Sequence, residues 1–340
     1  MKSKARFILS KSKVIEQYDK LEKISDKISY SYKTNKEVGK ILQETTDCMF
    51  SVHSLSVNEI KDKARIWYFA QAWNKKDIKE LKQAGVKSFV VDNEKDLDFL
   101  LKFIEENEFK INLLLRMRLK EHTIHTGKHF VYGMYSRKIN ELLPLLRENK
   151  LISKLGIHFH RKTQNISEWS LKQELEDSIT EWDKIDLVNI GGGLPAEYKN
   201  FRPEVINSIF DKITELKTWL NSQDIKMIIE PGRFIAAPCI KLETTIINIY
   251  DNNIIVDCSI FNSALDTWIA NIRLLVENEK EKGEAYTIKG ITPDSADILR
   301  YRVYLEKPRV GDKLVFLNAG AYNFSTDFCN LSRIPTLIVD

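Results

Sequence analysis

The stretch ISYSYKTNKEVGKILQETTDCMFSVH, residues 28–53, holds the unit from which the fold is built. Its first part alternates. Ile28, Tyr30 and Tyr32 fall on one face, and Ser29, Ser31 and Lys33 on the other, the period of a strand. Residues 36–45 read as a helix and 48–53 as a second strand. The first strand, read as 28–33, thus ends by aiming a lysine along the same side as its two smallest residues. Taken alone, that lysine is most simply the solvent end of the strand.

The unit recurs along the chain. Further strands are expected at 65–70 (RIWYFA), 88–91 (SFVV), 111–117 (INLLLRM), 155–160 (LGIHFH), 185–190 (IDLVNI) and 226–230 (KMIIE). Helix-like segments lie between them at 76–84, 95–106, 137–148, 167–182 and 203–220. Eight such strands favour a parallel sheet with right-handed crossovers, closed into a (β/α)8 barrel of the TIM type over residues 11–235. Beyond 235 the texture changes. LETTIINIY, NNIIVDCSIF, AYTIKG, RVYLEK and DKLVFLN are strand-like and separated by turns, so 236–340 reads as an all-β domain. The lone strand RFILS, at 6–10, is expected to join it, with residues 1–10.

The bulk composition excludes several classes. Of the 340 residues 43% are hydrophobic, enough for a large core, and the formal charge of +4 is mild. Lysines alternate with acids, as in KDIKELK and ENEKEKGE, and no basic stripe carries interleaved aromatics, so no nucleic-acid partner is expected. Cys48, Cys239, Cys258 and Cys329 stand alone, as free thiols in a reducing compartment do. No window approaches a membrane span and the N-terminus has no apolar signal core. A cytoplasmic protein without a membrane partner is expected.

In a βα barrel the chemistry sits at the C-terminal ends of the strands. Those ends carry Lys33, His53, Gln71, Asp92, Arg116, His160, Gly191 to Gly193 and Glu230. The three glycines of VNIGGGLP let a backbone approach a ligand and turn its N–H groups inward, as a phosphate requires; a flexible turn is the simpler alternative. In IIEPGRF a carboxylate, Glu230, ends a buried strand, and the turn at Pro231 and Gly232 brings Arg233 back to the same mouth. A buried carboxylate wants a partner, which an arginine or a protonated ring nitrogen supplies. His158 and His160 of GIHFH share a face with Gly156, and the outer one, His160, is better placed to stack on a flat ligand. His122, His125 and His129 have spacing compatible with a metal, but with no carboxylate or cysteine close by a loop is expected and no metal.

SYKTN, LLLRM, GIHFHRKTQ, VNIGGG, EPGRF, ITPDSAD and GDKLVFLNAGAY occur in the order and spacing of the fold type III pyridoxal-phosphate decarboxylases. Over nearly its whole length the chain resembles this family of ornithine, diaminopimelate, arginine and carboxynorspermidine decarboxylases. The resemblance implies the alanine-racemase-like architecture of a barrel with a β domain, and pyridoxal 5'-phosphate as cofactor. It makes Lys33 the residue that binds the cofactor covalently, with the serines leaving room for it. His160 would stack on the pyridine ring and Glu230 would pair with its nitrogen. Gly191, Gly192, Gly193, Gly232 and Arg233 would hold the phosphate, with the Tyr322 hydroxyl and with Thr163 at the family's serine position. Arg116 and Glu59 match positions that support the lysine and ring. Asp294 and Tyr322 would enter the site of the other subunit of a homodimer, and Asp294 would read a distal amine of the substrate. Asp266 and Arg273, by their spacing, resemble a substrate pair of the carboxynorspermidine branch.

The departures are specific. His53 stands where the family has an aspartate, and Lys162 and Thr163 where it has Gly-Ser. Val131-Tyr132-Gly133 replaces its Lys-Phe-Gly, and Pro293 replaces its catalytic cysteine. The expected activity is decarboxylation of a small amino acid, such as a diamino acid or a polyamine-pathway carboxylate. Racemisation or transamination on the same cofactor, and a silent cofactor-binding homologue, are the alternatives. With the thiol missing, His53 and Cys329 are the candidates to return the proton.

Overall fold

The computed structural model describes residues 4–119, 132–202 and 204–340. His122, His125, His129 and Val131 lie outside the described residues. The chain divides into two compact units, one of Tyr18–Pro195 with Val205–Gly232, the other of Met1–Gln17, Ala196–Glu204 and Arg233–Asp340. This partition differs from the expected boundaries at 10/11 and 235/236. Residues 11–17, 196–204 and 233–235 group with the β-rich unit.

Strands are numbered along the chain from β1 (Arg6–Ser10). The barrel is β2 (Lys27–Ser31), β3 (Met49–Val52), β4 (Ile66–Ala70), β5 (Ser88–Val91), β6 (Ile111–Arg116), β7 (Ile152–His158), β8 (Leu187–Asn189) and β9 (Lys226–Ile229). Each pairs in parallel with the next, and β9 returns to β2, which closes the ring. The helices are α1 (Lys11–Glu22), before the barrel, then α2 (Lys36–Thr45), α3 (Lys75–Ala84), α4 (Glu94–Glu106), α5 (Ser136–Arg147), α6 (Lys172–Ser178) and α7 (Ile206–Asn221). Side-chain caps start three of them. Asn35 accepts from Glu37 and Val38, Asn74 from Asp77, and Asn93 from Asp96, satisfying N–H groups that a helix leaves unpaired. On α2 the apolar residues Val38, Ile41 and Leu42 are the buried ones, as an amphipathic helix over a barrel requires.

Trp67 and Phe69 of β4 pack with Val90, Leu114, Leu187 and Ile228 in one buried cluster, to which Met49 adds its edge. Gly156 of β7 is needed there, because a Cβ at that position would lie 2.0 Å from the Leu187 carbonyl oxygen.

Two local expectations are corrected. β2 ends at Ser31, and Lys33 lies in a 3-10 turn, Tyr32–Thr34, so its direction is set by that turn and not by strand alternation. The segment 167–182 is not one helix: only α6 forms, followed by a 3-10 turn at Trp182–Lys184. The crossover from β3 to β4, where the sequence offers no helical pattern, uses two 3-10 turns, Leu55–Glu59 and Lys63–Arg65.

The other unit is built on β10 (Ile240–Tyr250), β11 (Asn253–Val256), β12 (Leu275–Val276), β13 (Ala285–Lys289), β14 (Ile298–Tyr304), β15 (Lys313–Leu317) and β16 (Thr336–Val339). The order is β12-β15-β10-β11-β13-β14, and β1 pairs with both β10 and β16. The fold is thus a closed parallel barrel with a second, mostly-sheet unit, as the strand pattern led us to expect.

Candidate active site

Glu230 follows β9 directly and is 7% exposed. Its carboxylate accepts from Ser51 Oγ at 2.7 Å, Asn189 Nδ2 at 2.8 Å and His158 Nε2 at 3.3 Å. The three donors come from β3, β8 and β7, so only the closed barrel assembles them. Burial by itself would raise the Glu230 carboxyl; its neighbours His158, Ser51 and Asn189 outweigh it and hold the group below the usual carboxylate range. Ser51 uses its one proton on Glu230, so Ser29 must be the donor in the 2.8 Å contact between the two hydroxyls. The serines of the opening stretch therefore have different duties. Ser29 feeds the carboxylate through Ser51, and Ser31 donates to the Glu230 carbonyl at 3.2 Å.

Lys33 is exposed and makes no hydrogen bond or ion pair among the described residues. Its charge nevertheless acts on the rings of His53 and His160, and so does that of Glu230, which puts all four at one mouth. His53 stacks on Phe69 with centroids 4.9 Å apart. His160 keeps an exposed face at the mouth while barrel atoms crowd its ring, and that crowding, followed by the nearby Arg116 cation, lowers its pKa to about 4 and favours the neutral form. Arg116 is 3.4 Å from Asp92 and lies over the Tyr132 ring, 5.1 Å from the ring centre.

Gly191 and Gly193 adopt φ of +69° and +106°, conformations that disfavour side chains. Their turn is also tightly packed. Added Cβ atoms would meet the Phe159 carbonyl at 2.3 Å, the Glu230 carbonyl at 2.6 Å (from Gly192) and the Lys162 carbonyl at 2.4 Å. Asn189 fixes the turn by accepting from Gly191 N–H at 2.9 Å, while its amide holds Glu230. The N–H groups of Gly192 and Gly193 find no acceptor among the described residues. Two such donors suit an anion such as a phosphate. Gly232 lacks a side chain because a Cβ there would sit 2.4 Å from the Thr34 hydroxyl. Thr163 is exposed beside Lys162, whose ammonium pairs with Glu168.

Glu59 is not beside Lys33 in the contacts it makes: its carboxylate is taken by Lys36 and by the Tyr32 hydroxyl.

Within the other unit, Arg233 is 7% exposed and forms a two-pronged pair with Asp266, with Nη2 donating to Oδ1 at 2.9 Å. Its guanidinium lies 4.8 Å from the Tyr322 ring centre, and Tyr198 is near enough to act on its charge. Burial opposes the cation, but Asp266 and Tyr198 outweigh it and raise its pKa. Asp266 and Arg273 are therefore not brought together; Arg273 is exposed. Pro293 and Asp294 are exposed on the β13–β14 connection. Buried Asp297 organises that loop, accepting from Ile260 N–H, Thr292 N–H and the Thr292 hydroxyl.

Sequence reasoning passed over Ser51, Asn189 and Asp297, and gave Ser29 only the part of leaving room for a cofactor. Each is a small polar residue in an otherwise apolar strand or a turn, and such a residue when buried must have a partner. Which partner is a matter of barrel closure.

An uncommitted amine, two unpaired backbone donors and an ionised carboxylate held by neutral groups fit the aldehyde, phosphate and pyridine nitrogen of pyridoxal phosphate. A family model described as "Pyridoxal-dependent decarboxylase, pyridoxal binding domain" matches residues 11–237. A probable ornithine decarboxylase of Dictyostelium discoideum is 24% identical over 95% of this chain and 76% of its own length. A diaminopimelate decarboxylase of Bacillus methanolicus is 25% identical over 77% of the chain and 68% of its own. Among solved structures, lysine decarboxylase from Selenomonas ruminantium superposes with a TM-score of 0.84 at 20% identity, covering 98% of this chain and 92% of that one. The chain belongs to the pyridoxal-dependent decarboxylases.

Proposed function

We propose that the protein decarboxylates a small amino acid bearing a second, distal amine. The observation that carries this is the pairing of a free amine, Lys33, with an ionised, buried Glu230 at one barrel mouth. When bound, pyridoxal phosphate supplies the electron sink for the pair left by the departing carboxylate. Lys33 would hold the cofactor through its aldehyde. Glu230 would accept from the protonated ring nitrogen, and the N–H groups of Gly192 and Gly193 would hold the phosphate. Arg233, whose buried Nε has no partner among the described residues, is the further phosphate candidate, and Thr163 and the Tyr322 hydroxyl would supply neutral donors. His160, kept neutral, would stack on the ring, and Arg116 would support Lys33 and the ring.

The substrate class follows the relatives, whose names give ornithine, diaminopimelate and lysine, each with a distal amine. Polyamine or amino-acid metabolism is the setting. Asp294, with Oδ1 engaged by Ala296 N–H, keeps Oδ2 for that amine, in the site of a second copy of the chain within a homodimer. Asp266, closed by Arg233, is the weaker candidate. No described helix is long and apolar enough to cross a membrane, and the four cysteines are free, which suits the cytoplasm.

Pro293 favours a second outcome on the same cofactor, because proline has neither thiol nor N–H to return a proton to the α-carbon. The test is one panel of amino acids, scored for CO2, amine, carbonyl product and chiral inversion. Release of CO2 with amine is expected, and it should vanish in Lys33→Ala while that variant keeps its fold. Borohydride should fix the cofactor to Lys33 in the wild type. Re-formed mixtures of Lys33→Ala and Asp294→Ala should regain up to about a quarter of full activity, the random-mixing ceiling for a shared-site dimer. No CO2 from any diamino acid by a cofactor-loaded protein overturns the reading.

A further inference from the structure

His158 stands out among the barrel's buried titratable groups, because only one of its two ring nitrogens has a partner. The residue is 2% exposed. Nε2 lies 3.3 Å from Glu230 Oε2, whereas Nδ1 is buried and bonded to nothing among the described residues. The Phe69 ring stands at 76° to the imidazole, with centroids 5.1 Å apart, and limits its rotation. A proton on Nδ1 would be a buried donor without an acceptor, which is costly, and more so on an imidazolium. The proton therefore belongs on Nε2, and the ring is neutral. The other two donors to the carboxylate, Ser51 and Asn189, are neutral as well.

We propose that His158 is a positioning residue for Glu230: it donates Nε2–H to one carboxylate oxygen without bringing charge, so the negative charge stays available for a cation entering from the barrel mouth. In the cofactor reading, on which this inference rests, that cation is the protonated pyridine nitrogen. A charged His158 would compensate Glu230 itself and compete with the ring. The charged and titratable groups that bear on His158 are Glu230, Arg116 and Asp92, with His53 and His160 beyond them. Glu230 and Asp92 favour its protonation; burial and Arg116 oppose it, and burial leads.

The first test needs no cofactor: nitrogen NMR of the 15N-histidine-labelled protein, with the His158 signal assigned by its loss in His158→Gln. A neutral Nε2–H tautomer that persists from pH 8 to 5.5 is expected. An imidazolium, or an Nδ1–H tautomer, overturns the proposal whatever the enzyme's activity. The second test compares variants loaded with pyridoxal phosphate. His158→Leu should weaken cofactor binding about ten- to hundredfold and lower kcat with little change in substrate KM. It should also move the pH at which the bound chromophore changes absorbance. His158→Gln, which keeps a neutral donor, should restore most of each. Equal behaviour of the Leu variant and the wild type in binding and chromophore titration overturns the role of His158. Failure of all the proteins to bind pyridoxal phosphate would instead overturn the cofactor reading.

Discussion

Glu230 and Arg233 stand three residues apart in EPGR and are equally buried, yet the protein treats their charges in opposite ways. Arg233 already has its counter-ion: Asp266 grips it with two bonds and the Tyr322 ring lies over it. Glu230 is left open. It has three donors, all neutral, and no permanent cation among the described residues. A buried ion pair is arranged for geometry and is hard to break. A buried carboxylate among neutral donors keeps its charge unspent and can bind an incoming cation. The difference separates a charge that the protein itself compensates from one left for an incoming cation.

The largest effect that can break this contrast is on turnover. Glu230→Gln should lower kcat about 10²–10³-fold, measured as CO2 release by the cofactor-saturated variant. A variant that turns over normally would place the cation partner elsewhere. Next comes stability. Asp266→Ala strands the Arg233 guanidinium and should cost about 3–5 kcal/mol in denaturant unfolding. A loss below about 1 kcal/mol would mean that Arg233 is compensated by groups other than Asp266.

Acidity sharpens the contrast further. The folded pKa of Glu230 lies below its ordinary value of 4.5. Its contribution is therefore fully present above pH 4.5 and is lost as the pH falls through the lowered folded value. Unfolding free energy should fall less steeply in this window in Glu230→Gln than in the wild type. Arg233 adds nothing there, since it stays charged throughout. Parallel acid limbs for the two proteins would contradict the assignment. The smallest effect belongs to Ser29→Ala, which removes only the outer link of the hydroxyl chain. It should cost about 0.5–1.5 kcal/mol and change kcat far less than Ser51→Ala, in a side-by-side rate and unfolding comparison.

Much of the architecture is legible in local patterning. Apolar runs such as SFVV and INLLLR, each bounded by helix-forming stretches, gave strands within a few residues of those observed, because burial of both strand faces leaves a local signature. The β3–β4 crossover escaped because 3-10 turns have no periodic pattern of their own. Lys33 was read as a strand residue because the alternation of ISYSYK continues past Ser31, where the pairing partner ends.

The sequence by itself determined the barrel, the motif order and the identity of Lys33, His160, the three glycines and Glu230 as site candidates. All of these are visible in short windows, where periodicity and turn chemistry act. Only the tertiary structure decided the partners: that Ser29, Ser51, Asn189 and His158 serve Glu230, that Asp266 serves Arg233 rather than Arg273, and that Glu59 is held by Lys36 and Tyr32. Strand period says only which face a side chain takes. Ser29 and Glu230 are two hundred positions apart in the chain, and the hydroxyl chain that links them requires β2, β3 and β9 to be neighbours, which follows from closing the ring.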